Sequence, residues 1–154
     1  MAKISAKERE QKKQQLDEIV LNIFWQHGWH AISYASVAEA FGTSRGAIQR
    51  YYPSHNDFSN ALKGKVLPLV VSQLDWQSKE AFYQSWIVAL HSEDGKFRRV
   101  MEMLFSQVCS KGSSEQAAIG VHQFLSTINE KFEDESLGKE LFGETFLALL
   151  NQAN

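Results

Sequence analysis

Ser33-Tyr34-Ala35-Ser36-Val37-Ala38-Glu39-Ala40-Phe41-Gly42-Thr43-Ser44-Arg45-Gly46-Ala47-Ile48-Gln49-Arg50-Tyr51-Tyr52-Pro53 holds two short helical patterns around one corner. Ser33 is a good N-cap, and Val37, Ala38 and Phe41 recur at the three-to-four-residue spacing that gives a helix one buried face. Gly42 stops that helix, because glycine enters the left-handed region without steric cost, and Thr43-Ser44 supplies hydroxyls to cap a second helix at once. Two helices joined by so tight a turn follow helix-turn-helix grammar. Pro53 has no amide hydrogen and biases Tyr52 away from helical geometry, so the second helix ends there.

Within the second helix Ile48 and Tyr52 sit four apart and point inward, which leaves Gly46, Ala47, Gln49 and Arg50 on the outward arc, with Arg45 beside it. Hydrogen-bonding tips, a cation and small residues at the centre of the arc suit a DNA major groove. Arginine pairs with guanine, glutamine with adenine, and alanine touches a thymine methyl. An ordinary amphipathic helix with a solvated face would show many of the same residues.

From about Leu16 to Leu62 the chain resembles the DNA-binding domain of the TetR family of bacterial transcriptional regulators. Gly28, Ser33, Val37-Ala38, Gly42-Thr43-Ser44, Gly46, Ile48, Tyr51-Tyr52 and Ser54 carry the resemblance across three helices in order. The sequence departs from the family pattern at Gln49, where the family has an aromatic residue, and at His55, where it has lysine. The resemblance implies a homodimer on double-stranded DNA, with Ser33, Tyr34, Thr43, Ser44, Arg45, Gly46, Ala47, Gln49, Arg50, Tyr51 and His55 at the duplex. Arg45 and Gln49 are expected to read base edges; Tyr51 and His55 are expected to meet phosphates, which position without specifying.

Around this motif, Leu16, Ile19, Val20, Ile23 and Phe24 form a helical stripe that Gly28 ends. Met1 to Lys12 is poor in apolar residues and reads as a mobile basic arm running into that helix, either reaching phosphates or simply solvated. Ser54, with Asp57 three residues on, caps a fourth helix carrying Phe58 and Leu62. Lys63-Gly64-Lys65 and Pro68 mark a break, so residues 1–65 are expected to form the DNA-binding domain and 66–154 a helical dimerisation domain.

The second half reads as four helices: from Ser78 to about Leu90, from Asp94-Gly95 through Val108, after the loop Lys111-Gly112-Ser113-Ser114 to Phe132, and a last helix capped by Ser136. The acidic run Glu133-Asp134-Glu135 reads as a solvated corner. The last helix carries Leu137, Leu141, Phe142, Phe146, Leu147, Leu149 and Leu150 nearly all round, so a second subunit is expected to cover it. Phe124, Ile128, Phe142, Phe146 and Leu150 are the expected interface, and dimerisation through the last two helices is also what the resemblance implies. A small effector is a further implication; Tyr83, Trp86, Met101, Met103 and Phe105 would suit its cavity wall, though core packing accounts for them equally well.

Composition agrees with an all-α fold: two prolines, nine glycines, 44% apolar residues and no sustained strand alternation in 154 residues. Residues 1–65 carry nine Lys/Arg against six acids, a net +3, and residues 66–154 carry seven against twelve, a net −5. A basic head on an acidic body fits a DNA-binding domain fused to one that does not bind DNA. The chain has no bilayer-length apolar run and no signal-peptide core, and its single cysteine, Cys109, fits a reducing cytoplasm. Cys109 continues an apolar stripe and is expected to be an inert core thiol; no orienting acid joins it to His91 or His122. His27 and His30 are separated by Gly28 and make no metal site, and no phosphate loop, zinc helix or nucleophile elbow is present, so neither enzyme nor cofactor is expected. The expected function is sequence-specific transcriptional regulation, as a repressor on an inverted repeat. The alternative is a helical interaction module of the same fold that no longer reads DNA.

Overall fold

The structure is a computed structural model that describes residues 3–109 and 115–151. Among these residues there are nine α-helices and no strand: α1 Ala6–His27, α2 Tyr34–Phe41, α3 Arg45–Tyr51, α4 Ser59–Leu62, α5 Leu67–Ser72, α6 Lys79–Leu90, α7 Lys96–Cys109, α8 Glu115–Phe132 and α9 Glu135–Leu150. Short 3-10 turns at Trp29–Ala31 and His55–Phe58 join α1 to α2 and lead into α4. The chain divides into two compact units, the first ending at Val66 and the second beginning at Leu67. The loop expected at Lys111–Ser114 lies outside the described residues.

In the first unit α1 is longer than its apolar stripe. The Glu8 amide donates to the Ser5 hydroxyl at 3.1 Å and the Ser5 amide donates to the Glu8 carboxylate at 3.1 Å. This capping box starts the helix at Ala6, and the Lys- and Gln-rich turns that follow are good helix formers. The stretch expected to be a mobile arm is therefore helical from Ala6 onward. Leu16, Val20 and Phe24, one turn apart, are fully buried and meet a core of Ile32, Val37, Ile48, Tyr52, Phe58 and Leu62. Ser54 opens the next segment as expected, its amide donating to the Asp57 carboxylate at 2.7 Å, but the helix it starts is a 3-10 turn followed by a single α-turn.

The second unit has a short helix, α5, that the sequence reading missed. Pro68 lies in its first turn, where a missing amide hydrogen costs no intrahelical bond, so the residue read as a kink belongs to a helix start. The core between α6, α7, α8 and α9 is largely aromatic. The Trp86 ring lies 5.0 Å from Phe97, 5.8 Å from Phe124 and 5.8 Å from Phe142, and Trp76 lies 4.6 Å from Phe82. Trp86, Phe82 and Phe97 are fully buried, and each such ring contributes roughly 1.5–3 kcal/mol of transfer free energy.

Four expectations for this unit need correction. Phe124 and Ile128 are buried within the chain itself, so they belong to its core and cannot form a surface for a second subunit. Cys109 is exposed at the end of α7, past the last turn that meets the core. Asp134, and not Ser136, caps α9: its carboxylate accepts the Ser136 and Leu137 amides at 2.8 and 3.3 Å. A carboxylate accepting amides at the positive end of a helix is a stronger cap than a hydroxyl two residues inside it. Asp134 also pairs with Lys79 of α6, so the acidic corner is more than a solvated turn. Lastly, within the single chain α9 is covered on one side. Leu137, Leu141 and Thr145 face the core, whereas Phe146, Leu147 and Leu150 are 51%, 55% and 52% exposed. No helix among the described residues is long and apolar enough to cross a membrane.

Candidate nucleic-acid interface

The corner between α2 and α3 is built from caps. The Ser36 amide donates to the Ser33 hydroxyl at 3.0 Å, and the Ser33 amide to the Ser36 hydroxyl at 2.9 Å, closing the start of α2. At its other end Gly42 has φ 80° and ψ 41°, and the Gly42 and Thr43 amides both donate to the Ala38 carbonyl at 2.9 Å. Left-handed glycine with that bonding terminates the helix and turns the chain sharply. Ser44 then accepts the Ala47 amide at 3.2 Å and starts α3.

Ile48 and Tyr52 point into the core and hold α3 down by one side. The opposite side presents Arg45, Gly46, Gln49 and Arg50, all exposed, with Ala47 half-buried between them. A Cβ placed at Gly46 would meet only the Ser44 hydroxyl, at 4.0 Å, so the backbone is open to close approach. Thr43 and Ser44 lie at the entry to this face and are also exposed.

The end of α3 is tied to its surroundings by directed bonds. The Tyr34 hydroxyl donates to the Tyr52 carbonyl at 2.7 Å, and the Tyr52 hydroxyl donates to the Asp17 carboxylate at 2.5 Å. Burial, followed by the Asp17 hydrogen bond, raises the Tyr52 pKa, so the ring stays a neutral donor. The Tyr34 pKa is also raised, first by burial and then by the charge of Asp57. Arg9 donates to the Arg50 carbonyl at 3.2 Å and lies over the Tyr51 ring.

Several residues expected at the duplex thus have a structural task. Ser33 and Ser44 spend their hydroxyls as caps, and Tyr34 directs its hydroxyl to a carbonyl. The His55 Nε2–H donates to the Ile32 carbonyl at 2.8 Å, and its ring meets Trp29 and Phe58 edge-on. With Nε2 committed as a donor, a neutral His55 offers only an acceptor at Nδ1, and protonation is needed before it can donate to a phosphate. Arg9 and Lys13 are the residues that sequence reasoning missed. A basic run was visible there, but nothing in it showed that both side chains turn onto Tyr51 and Tyr52 at the end of α3.

A glycine corner, a second helix anchored on one side, and an outward arc of arginine, glutamine and small residues define a helix-turn-helix DNA-binding protein. The family model described as bacterial regulatory proteins, tetR family, matches residues 21–62, and that described as the tetracycline repressor LuxT C-terminal domain matches residues 63–149. The second match alone covers more than half of the sequence. The chain belongs to the TetR family of transcriptional regulators, and is a DNA-binding regulator. Comparison with curated proteins gave no match.

In the body, Trp86 and Met101 are fully buried, Met103 is buried, and Tyr83 and Phe105 are half-buried. Trp86 meets neighbouring rings on several sides, and its indole N–H donates to the Thr145 hydroxyl at 2.9 Å. Of the two readings open for this cluster, its packing is that of a core.

Proposed function

We propose that the protein is a repressor that binds an inverted-repeat operator as a homodimer, with α3 of each subunit in a major groove. The observation that carries this reading is the exposed arc of α3, where Arg45 and Gln49 lie one turn apart on the side away from the Ile48 and Tyr52 anchors. Each of the two side chains can make a bidentate base contact worth roughly 1–3 kcal/mol of discrimination. Two-fold symmetry of the protein would place half-sites about one helical turn apart. Support for the dimer comes from α9, whose Phe146, Leu147 and Leu150 form an apolar strip left exposed by the single chain. A second copy presenting the same strip would cover it, as a symmetric interface requires.

Selection of bound sequences from a random duplex pool tests the DNA reading: a symmetric site is expected, and Gln49→Ala is expected to relax preference at one position of each half. A preferred site without two-fold symmetry would overturn it. Phe146→Asp and Leu150→Asp are each expected to give monomers in sedimentation, because a charge in a dry interface has no partner. Mutants that remained dimeric would place the interface elsewhere.

A further inference from the structure

Arg9 and Lys13 are four residues apart in α1 and so share one face of it. Each stands over one of the two consecutive tyrosines at the end of α3. The Arg9 guanidinium carbon is 4.8 Å from the centre of the Tyr51 ring, and Lys13 Nζ is 4.1 Å from that of Tyr52. Lys13 also pairs with Asp17 at 2.6 Å, the carboxylate that accepts the hydrogen bond of the Tyr52 hydroxyl. Arg9 instead donates to the Arg50 carbonyl at 3.2 Å, one of the terminal carbonyls that α3 cannot satisfy by itself. Its charge therefore meets two attractions at once, the electron-rich face of a ring and the negative end of a helix.

The α3 helix has only 7 residues, too short to be stable alone, so its last turn depends on groups outside it. We propose that Arg9 is a positioning residue of the DNA-reading helix. It fixes the final turn of α3, and with it the directions of Gln49 and Arg50, and it does not act as a phosphate ligand. The proposal rests on the reading that α3 enters the groove. It gives two cations of the basic start of α1 a different task from that of a charged arm reaching the duplex: Arg9 and Lys13 lie over the tyrosines at the end of the reading helix.

The test compares the full-length parent with Arg9→Ala and Arg9→Lys on two duplexes, the parent's preferred sequence and a scrambled one, over a range of salt concentrations. Amide hydrogen exchange of α3 is followed in the same three proteins without DNA. Arg9→Ala is expected to weaken the preferred duplex roughly three- to tenfold and the scrambled one less, since it removes a cation–π contact and a charged hydrogen bond. The salt slope should stay unchanged and the α3 amides should exchange faster. Arg9→Lys, which keeps the charge over the ring, should recover most of both effects. An equal loss on both duplexes, with the salt slope falling by about 0.9, would identify a phosphate contact and overturn the proposal. Unchanged affinity with unchanged exchange would overturn it as well. A parent that distinguished neither duplex would break the DNA reading of α3, and exchange alone would then decide whether Arg9 holds the helix.

Discussion

The two units of this chain solve the problem of holding short helices in different ways. In the first, the α2–α3 corner and the end of α3 are held by directed bonds: Ser33 with Ser36, left-handed Gly42, Ser44 on Ala47, Tyr34 on Tyr52, Tyr52 on Asp17 and Arg9 on Arg50. In the second, α6 to α9 are held mainly by rings against rings around Trp86. Burial has no direction and tolerates small shifts, whereas a bond between two atoms fixes an angle. A surface that must match a groove needs fixed angles, and the unit that presents it is the one built from them.

Removing the central ring of the second unit should give the largest effect. Trp86→Ala is expected to cost about 3–5 kcal/mol in denaturant unfolding, because it empties a site lined by Phe82, Phe97, Phe124 and Phe142. A loss below 1 kcal/mol would mean that the rings do not carry the unit. In the first unit Tyr52→Phe removes a single hydrogen bond to a charged acceptor and leaves the ring in place. It is expected to cost about 1.5–3 kcal/mol and to loosen α3, seen as faster exchange of its amides. An unchanged unfolding midpoint would remove directed bonds as the distinguishing principle.

A smaller effect sharpens the contrast, since the second unit also has directed ties, among them those that meet at Asp134 in its α8–α9 corner. Hydrogen bonds from Lys79 and Ser136 hold the Asp134 pKa below the ordinary carboxylate range. A depressed acid stabilises the fold above its unfolded value of 3.8, and that contribution is lost as pH falls through the lower folded value. Asp134→Ala should therefore be less stable than the parent at neutral pH, with the difference shrinking in acid below about pH 4. Unfolding curves at several pH values give the check. A difference that grew on acidification would contradict the assignment.

What could be read from the sequence was whatever local spacing encodes. Gly42 before Thr43-Ser44 gave the corner, and Ile48 with Tyr52 gave the buried side of α3 and thus its outward arc. The ties that hold the arc in place were not readable, because their partners lie far apart: Arg9 with Arg50, Tyr34 with Tyr52, His55 with Ile32. Periodicity also shows that a helix has an apolar stripe without showing what covers it. Phe124 and Phe146 both looked like interface, yet one is buried inside its own chain and the other is exposed. Cys109 and the start of α1 failed for a related reason: a helix can run beyond the turns that its core contacts require.

The aromatic packing around Trp86 would accept α9 shifted slightly along its axis; the Thr145 hydroxyl would not. It donates to the Leu141 carbonyl at 2.7 Å and receives the Trp86 indole proton at 2.9 Å, fully buried, across 59 residues of chain. A slide of α9 by one residue would leave a donor without an acceptor in a place water does not reach, at a cost of about 1–3 kcal/mol. One hydroxyl thus ties the register of α6 and α9 inside the body, as the Lys79–Asp134 pair ties the starts of the same two helices. It also makes the Trp86 indole proton a gauge: a single resonance, downfield while the helices are in register, that reports any displacement between α6 and α9 from inside the body.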